Sequence, residues 1–322
     1  MISVEGIFLQ TPSSEILEYD IAIIGAGPAG LSAALYAARS NLKVVVLAGK
    51  DPPALASAHL IQNFAGVGSI SGPELLAKMR KQVEELGVPI INEDANSLVL
   101  AMTPKGITTR TRVIMARAVI LATGRKSRKL NVKNENELLG HGLSYCALCD
   151  GPLYKQKNVV IVGDDEEAIE DALTLAQMGC YVTIVFEKGV GDIDAKRMAE
   201  LKDPSHFIKI YERAKVTEIL QDEKGNVASV VITTGDKSVQ TLNARAVFLI
   251  SHVSTGSLLK QAGIELSEKG CILTNAKQET NIEGVYAAGD VTCGEQQVAV
   301  AVGQGAIAGI EASKHVRNLA RK

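Results

Sequence analysis

The feature that most constrains the fold is a glycine-rich turn between an apolar run and an alanine-rich segment. Residues 20–24 predict a buried strand, residues 31–40 predict a helix, and residues 43–47 predict a second strand. The turn at 25–30 has the spacing Gly-x-Gly-x-x-Gly. Such a turn lets a pyrophosphate approach the backbone and the helix pack closely on its strand. The pattern predicts a dinucleotide-binding βαβ unit, and the order of elements disfavours the alternative of a glycine-rich turn without a ligand.

A second unit of the same kind begins near the middle of the chain. Its strand at 158–162 is followed by Gly163 and by a helix that ends near Met178, where Gly179 is suited to cap it. A strand at 181–186 completes the pattern. This duplication predicts two nucleotide-binding domains in one chain.

The last part of the sequence returns to the first domain. A short strand at 284–288 ends in Gly-Asp, and a helix from about 297 to 316 follows. Apolar segments at 120–124 and 248–251 mark the two crossings between domains. The predicted fold class is α/β, with two Rossmann-like, three-layer ββα dinucleotide-binding domains, the second inserted in the first. The first domain is expected at 1–126 and 250–322, and the inserted domain at 127–249.

Cys146 and Cys149 form a Cys-x-x-Cys pair that is followed at once by Asp150. Two thiols at this spacing can close and reopen a small disulfide, and an adjacent carboxylate can carry a proton as they do so. Half of a zinc site is a competing interpretation, but no second such pair completes a tetrahedral site, so no metal is expected. Buried cysteines that pack as small hydrophobes are the third possibility. The position between two βαβ units favours a redox pair. The remaining cysteines, expected to play no part, are Cys180, Cys271 and Cys293.

Composition excludes several classes of protein. The 322 residues have a net charge of −2, no tryptophan and 4% aromatic residues, so nucleic-acid binding is not expected. Residues 1–20 contain acidic residues and no long apolar run, so neither a signal peptide nor a membrane span is expected. Five cysteines, of which only two are close in sequence, fit a reducing cytoplasm.

Together these motifs resemble the low-molecular-weight thioredoxin reductases, a branch of the flavoprotein disulfide reductases. The resemblance extends from Tyr19 to about His315 and depends on the first glycine-rich turn, on Ala-Thr-Gly at 122–124, on Cys-x-x-Cys-Asp-Gly, and on Ala-Gly-Asp-Val at 288–291. The cysteines lie in the inserted domain, whereas the larger lipoamide dehydrogenase-like enzymes carry theirs near the N-terminus. The resemblance implies a homodimer that passes electrons through FAD and the cysteine pair to thioredoxin.

The resemblance also implies roles for individual residues. FAD would lie on the first domain, with Asp290 bonded to its ribityl chain and Asn63 beside its ring. The last helix would point its N-terminus at the pyrimidine edge of the flavin. Cys149 would be the thiol nearer the flavin, and Asp150 the acid–base. The residues expected to bind FAD are Gly25, Gly27, Pro28, Ala29, Gly30, Gly49, Lys50, Asn63, Thr123, Gly124, Asp290, Gln297 and Val298.

Departures from the family lie in both domains. In the first, Pro-Pro-Ala at 52–54 replaces a usual Gly-Gly-Gln, and no acidic residue ends the second strand. In the inserted domain, the family's NADPH-binding Gly-x-Gly-x-x-Ala reads Gly-Asp-Asp-Glu-Glu-Ala at 163–168. Glu187 and Lys188 replace the arginines that grip the 2′-phosphate, and Ser251 replaces a glycine of the nicotinamide cleft. Four consecutive carboxylates repel phosphates, although they also suit a helix N-terminus.

These departures favour the members of the family that do not use pyridine nucleotides, some of which take electrons from ferredoxin. The basic run at 125–129 could dock an acidic ferredoxin, although a solvated hinge is the favoured explanation of that run. Three alternatives stay open: an NADPH-dependent thioredoxin reductase with a divergent site, an FAD dithiol oxidase, and a non-catalytic redox-sensing flavoprotein.

Overall fold

A computed structural model describes residues 15–127, 129–190, 193–250, 252–253 and 256–321 of the chain. The strands are β1 (Glu15–Ile24), β2 (Val44–Leu47), β3 (Ile90–Ile91), β4 (Ser97–Val99), β5 (Lys105–Thr108), β6 (Arg112–Leu121), β7 (Lys126–Ser127), β8 (Leu143–Ser144), β9 (Asn158–Val162), β10 (Tyr181–Phe186), β11 (Lys209–Glu212), β12 (Ala214–Gln221), β13 (Val227–Thr234), β14 (Val239–Asn243), β15 (Ala246–Leu249), β16 (His252–Val253) and β17 (Val285–Ala287). The helices are α1 (Pro28–Ala38), α2 (Gly72–Glu85), α3 (Glu135–Leu138), α4 (Ala147–Asp150), α5 (Glu166–Gln177), α6 (Ala195–Leu201), α7 (Gly256–Gln261) and α8 (Val298–Leu319). Short 3₁₀ helices occupy Ala54–Ser57, Gly151–Tyr154, Pro204–His206 and Asp290–Thr292.

The chain divides into two compact units, and the predicted α/β class with Rossmann-like sheets is confirmed. One unit, here called the flanking unit, comprises Met1–Arg125 and Ser254–Lys322. The other, the inserted unit, comprises Lys126–Val253. Each unit has its own parallel sheet and its own apolar clusters on the two sides of that sheet.

The flanking unit is built on a sheet with strand order β3-β2-β1-β6-β5-β4, and β17 pairs with the C-terminal part of β6. Strands β1, β2, β3, β6 and β17 pair in parallel, whereas β4 and β5 are antiparallel additions. Ile21 and Ile23 belong to one apolar cluster and Ala22 and Ile24 to another. Successive side chains of a strand point to opposite faces, so a strand covered on both sides must be apolar at every position. This explains the apolar run at 21–24, the buried part of β1.

The inserted unit repeats the same arrangement on a smaller scale. Its sheet has the order β11-β10-β9-β15-β8, and all four pairings are parallel. A three-stranded antiparallel sheet, β12-β13-β14, and the short pair β7–β16 complete it. The strands predicted at 158–162 and 181–186 are confirmed, and Gly179 follows α5 with a φ of +87°. That left-handed conformation favours glycine and ends the helix as predicted.

Two predicted boundaries shift for local reasons. Strand β1 begins at Glu15 rather than residue 20, because its first half pairs in register with the first half of β6. Helix α1 begins at Pro28 rather than residue 31, and proline is well suited to a first helical turn because its missing N–H is not needed there.

Helices α1 and α8 lie against each other at backbone distance. A Cβ on Gly305 would overlap the carbonyl oxygen of Ala29, and a Cβ on Gly309 would overlap that of Ala33. Both contacts advance by four residues in the same direction, so the two helices run parallel. Small residues at these positions therefore let the two helices approach closely, with the second residue of α1 beside the eighth residue of α8.

Along the described parts of the chain, no helix is both long enough and apolar enough to cross a membrane. In the same parts, no three His, Cys, Asp or Glu side chains are grouped so that they could hold a metal ion.

The α1–α8 contact predicts opposite effects for two glycines on α8. Gly309→Ala should lower the free energy of unfolding by about 1–3 kcal/mol, because the new methyl group meets backbone. The control is Gly303→Ala, since a Cβ there meets nothing within 4 Å. It should stabilise by about 0.5–1 kcal/mol through the lower entropy of the unfolded chain. Thermal unfolding midpoints measure both, and equal shifts would contradict the packing described.

Candidate functional site

The predicted redox pair is joined in the structure. Cys146 and Cys149 form a disulfide with a Cα–Cα distance of 5.3 Å. Cys146 caps the one-turn helix α4, and its Sγ accepts a hydrogen bond from the Cys149 N–H at 3.1 Å. Cys149 is exposed and Cys146 is partly buried. A backbone N–H aimed at the sulfur stabilises a thiolate, so the local fold favours Cys146 as the reactive sulfur after reduction.

Asp150 is tied to the same turn by a residue that sequence reasoning missed. The hydroxyl of Ser144 donates to Asp150 Oδ2 at 2.6 Å and accepts from the Cys146 N–H at 3.1 Å. Ser144 is 7% exposed and ends β8, which is held in the sheet by β15. The carboxylate is therefore fixed relative to the sulfurs. The only signal in the sequence was a serine two residues before the first cysteine.

The segment after the cysteines is packed tightly on the inserted unit. A Cβ on Gly151 would lie 2.6 Å from Leu175 Cδ2 and 2.8 Å from Met178 Sδ of the α5 region. Tyr154 contacts Phe248 edge to face, with ring centroids 6.0 Å apart. Burial, and then the Asp150 carboxylate, raise the pKa of the Tyr154 phenol. The phenol stays protonated at neutral pH, so it adds no charge beside the redox turn.

The first glycine-rich turn, in the flanking unit, has room for a group against its backbone. Gly25 has a φ of +116°, and a Cβ there would overlap the Ala122 carbonyl; a Cβ on Gly30 would overlap the Gly25 carbonyl. These two glycines are required by the chain's own packing. Gly27 is not, because its nearest neighbour would be Pro53 Cβ at 3.7 Å. Gly27 caps α1 without a side-chain hydrogen bond, and the first turn of α1 carries no acidic residue. Its N–H groups are thus suited to an anion.

The other predicted FAD-binding residues lie in the same unit, and two of them touch. Asn63 Nδ2 donates to Gln297 Oε1 at 2.9 Å. Gln297 caps α8 without a side-chain hydrogen bond to the helix, whose first turn has no acidic residue. Thr123 and Gly124 follow β6, and Asp290 begins the 3₁₀ helix after β17. The carboxyl ends of β1, β6 and β17 are adjacent in the sheet, so the segments that follow these strands meet at one edge.

Two further polar residues support these segments and were missed from the sequence. Asp94 Oδ1 accepts from the Lys50 N–H at 3.0 Å, so the loop after β3 places a carboxylate beside the segment that follows β2. Gln304 Oε1 accepts from the Gly289 N–H at 2.7 Å and holds the turn that carries Asp290. Neither contact is local in sequence, and no motif marks it.

The equivalent turn in the inserted unit is satisfied by its own side chains. Asp165 caps α5, its Oδ1 accepting from the Ala168 N–H at 3.0 Å, and Asp164 Oδ1 accepts from the Lys188 N–H at 3.0 Å. Glu166 and Glu167 fill the first turn of the helix. The cavity beside Gly163 measures about 10 Å³. That volume holds about one water molecule.

The charge around this second turn is strongly negative. Asp171, one turn further along α5, has its pKa raised to about 7, first by burial and then by the carboxylates of Glu167, Glu170 and Asp165. Burial is the largest cause of this shift, and the negative charge of the three carboxylates adds to it. Among the other residues that depart from the family's NADPH-binding positions, Glu187 lines the small cavity, whereas Ser251 lies outside the described residues. Arg128, in the basic run at 125–129, also lies outside the described residues.

Of the three cysteines not expected to take part in the redox chemistry, two are joined to each other. Cys271 and Cys293 form a disulfide in the flanking unit, with Cα atoms 5.5 Å apart. They are brought together by their neighbour Ile272. It forms an antiparallel β-bridge with Leu266, and its N–H donates a hydrogen bond to the Val291 carbonyl. Cys180 is a free, buried thiol whose pKa is raised by burial.

The Ser144 contact predicts a coupled effect on the redox pair. Asp150→Asn should slow thiol–disulfide exchange by about 10²–10⁴-fold if Asp150 carries the proton. Ser144→Ala should slow it by about 10-fold, because the hydrogen bond that fixes the carboxylate is lost. Since both changes act through one carboxylate, the double variant should be no slower than Asp150→Asn alone. Single-turnover reduction of a disulfide substrate measures all three. Additive effects would show that Ser144 acts independently of Asp150.

Comparisons with known proteins agree with this geometry. A family described as pyridine nucleotide-disulphide oxidoreductase matches residues 19–305. The thioredoxin reductase of Ureaplasma parvum serovar 3 is 36% identical over 92% of this chain and 97% of its own length. The NADPH-dependent thioredoxin reductase 3 of Arabidopsis thaliana is 33% identical over 94% of this chain and 59% of its own length. The structure of the thioredoxin reductase from Giardia duodenalis is 32% identical, with a TM-score of 0.87 over 94% of this chain and 99% of that one. This chain therefore belongs to the low-molecular-weight thioredoxin reductase branch of the pyridine nucleotide-disulphide oxidoreductase family, whose fold implies a flavin cofactor.

Proposed function

We propose that this protein is a FAD-dependent thioredoxin reductase that takes its electrons from a donor other than NADPH, such as reduced ferredoxin. The observation that carries the proposal is the acidic turn at 163–168, between β9 and α5 of the inserted unit. The Asp165 carboxylate accepts a hydrogen bond from an N–H of the helix N-terminus that a pyrophosphate would need. The Asp164 carboxylate accepts one from the Lys188 N–H, after β10. A dinucleotide would have to displace both carboxylates and then meet their charge at a few ångströms.

The first turn supports the proposed site for FAD. Its open helix N-terminus and the space at Gly27 suit a pyrophosphate, and the uncapped N-terminus of α8 suits negative charge on the flavin ring. In this proposal Asp290 holds the ribityl chain, and Asn63 and Gln297 hold the ring. Bound FAD would accept electrons singly from the donor and supply them in pairs to the cysteines. The residues proposed to contact FAD are Gly25, Gly27, Pro28, Ala29, Gly30, Gly49, Lys50, Asn63, Thr123, Gly124, Asp290, Gln297 and Val298.

The thiol chemistry belongs to the chain's own residues. The Cys146 thiolate attacks one sulfur of oxidised thioredoxin, whose disulfide breaks and releases a thiolate. Cys149 then attacks Cys146 in the mixed disulfide, which reforms the Cys146–Cys149 bond and frees reduced thioredoxin. Asp150, fixed by Ser144 at 2.6 Å, passes the protons that the departing thiolates need. Two electrons and two protons thus leave with each thioredoxin.

Electron flow from ferredoxin is favourable in energy. The reduction potential of plant-type ferredoxins is about −400 mV, and that of thioredoxin is about −270 mV. The difference of ~130 mV for two electrons corresponds to roughly 6 kcal/mol in the forward direction. A homodimer is the proposed assembly.

An NADPH-dependent reductase with a divergent site is the second candidate. It is favoured by the Arabidopsis relative, which is 33% identical and is named as NADPH-dependent. The alternatives differ in what reduces the flavin, so one experiment separates them.

The proposal predicts which donor bleaches the flavin. Under anaerobic conditions, excess NADPH or NADH should leave the flavin absorbance near 450 nm unchanged within about 10%. Reduced ferredoxin should bleach it and drive the reduction of thioredoxin, because a protein donor need not enter the closed turn of the inserted unit. Rapid bleaching by micromolar NADPH would restore the second candidate. Oxygen uptake with a small dithiol but no thioredoxin reduction would favour an FAD dithiol oxidase. If electrons pass neither to thioredoxin nor to oxygen, a non-catalytic redox-sensing flavoprotein is favoured.

A gain-of-function variant serves as the matched control for that titration. Asp165→Gly combined with Glu187→Arg and Lys188→Arg restores the family residues at two of the altered contacts. It should bind NADPH weakly rather than fully, since Ser251 is unchanged. If the variant responds no better than the natural chain, the carboxylates are not what excludes the nucleotide.

The redox pair gives a separate prediction. Cys146→Ser and Cys149→Ser should each lower the rate of thioredoxin reduction to background. The flavin content should stay unchanged, because the cysteines and the first glycine-rich turn lie in different units. Activity with thioredoxin and the absorbance ratio of flavin to protein measure the two effects. Near-full activity in either variant would show that another pair of sulfurs carries the electrons.

A further inference from the structure

The disulfide between Cys271 and Cys293 lies outside the site described so far. The two residues are 22 apart in sequence and link two separate segments of the flanking unit. Cys271 is buried, with 3% of its surface exposed. Cys293 is partly exposed and ends the 3₁₀ helix Asp290–Thr292 with a φ of 55°. The disulfide therefore has one protected and one accessible half.

An open cleft gives access to this disulfide. Its volume is about 440 Å³, and both cysteines line it together with Glu268, Lys269 and Leu273. Leu273 is 51% exposed, so the cleft has an apolar wall next to charged side chains. A small thiolate that enters the cleft can reach Cys293, whereas Cys271 is shielded by its own segment. Exposure of this kind is typical of disulfides that exchange rather than of purely structural ones.

The disulfide restrains the turn that carries Asp290. Within this turn the Thr292 hydroxyl donates to the Gly289 carbonyl at 2.9 Å, and the Ile272 N–H donates to the Val291 carbonyl at 2.9 Å. The covalent bond from Cys293 adds to these few hydrogen bonds at the end of the turn. Breaking it leaves the turn attached to the 264–273 segment by hydrogen bonds alone.

We propose that Cys271–Cys293 is a second thiol–disulfide exchange site, reached at Cys293 by small thiols or dithiols, and that its redox state sets how firmly the Gly289–Cys293 turn holds FAD. The exchange part stands on the disulfide and the cleft. The effect on FAD rests on the placement of Asp290 in the proposed function.

The exchange proceeds in two steps that balance. An incoming thiolate bonds to Cys293 Sγ, the Cys271–Cys293 bond breaks, and Cys271 leaves as a thiolate that takes a proton from water. The Lys269 carbonyl oxygen, 3.9 Å from Cys271 Sγ, is placed to accept a hydrogen bond from the resulting thiol. A second thiol attacks the mixed disulfide, so two thiols become one disulfide and the protein gains two electrons and two protons. Burial makes the Cys271 thiolate a poor leaving group, so the exchange is slow compared with a catalytic pair.

The exchange is tested in the folded, flavin-loaded protein. A Cys146→Ser/Cys149→Ser background removes the signal of the first pair, and the protein is treated with a dithiol and then alkylated for mass spectrometry. Cys271 and Cys293 should become alkylated while the circular dichroism stays native, at a rate about 10-fold or more below that of Cys146–Cys149 in the natural chain. Protection until the protein unfolds would overturn the proposal and make the disulfide purely structural.

The restraint on FAD is tested by the rate of flavin release, followed by fluorescence. Reduction in the same background should speed release by about 3-fold or more, and Cys293→Ser should release flavin equally fast without any dithiol. Cys180→Ser changes the free buried thiol of the other unit and should leave the rate unchanged. Dithiol treatment gives the comparison even if Cys293→Ser folds poorly. Unchanged release after complete reduction would overturn the restraint, and neither result bears on the electron-donor titration, which concerns the inserted unit.

Discussion

At the start of α5, the carboxylate of Asp165 accepts a hydrogen bond from the Ala168 N–H at 3.0 Å. A helix N-terminus offers unpaired N–H groups and a partial positive charge, and it can be satisfied by a phosphate or by a side chain of the chain itself. Here the Asp165 side chain already satisfies the helix N-terminus. The neighbouring Asp164 carboxylate accepts a hydrogen bond from the Lys188 N–H, just after β10. Burial first, and then the carboxylates of Glu167, Glu170 and Asp165, raise the pKa of Asp171 to about 7, so part of this shift reflects the negative charge at this end of the inserted unit.

The turns at 25–30 and 163–168 therefore both connect a parallel strand to a helix, but they differ in chemistry. At the first, Gly27 leaves room against the backbone and no acidic residue follows it in the helix. At the second, an aspartate stands at the corresponding position and two glutamates follow. Because fold alone does not decide function, the family assignment fixes the flavoprotein disulfide chemistry but not the electron donor. The donor depends on these few side chains.

Much of the fold could be predicted from the sequence because its signals are local. The apolar runs at 158–162 and 181–186 are long enough and sharply enough bounded to define strands, and Gly179 ends the helix between them. The acidic cap of α5 was also predictable, since carboxylates favour a helix N-terminus. Contacts between distant segments could not be predicted. Asp94 lies 44 residues from Lys50, and Cys271 lies 22 residues from Cys293, so only the folded sheet brings them together.

The central claim is that the inserted unit keeps the nucleotide-binding fold but has filled its phosphate site with its own carboxylates. Calorimetric titration of the flavin-loaded protein with NADP⁺ at physiological ionic strength tests it most directly, because salt screens long-range repulsion by the exposed carboxylates and leaves the filled helix N-terminus as the obstacle to binding. The account predicts no binding heat up to millimolar nucleotide, which corresponds to a binding free energy weaker than about −4 kcal/mol. A dissociation constant in the micromolar range would contradict it.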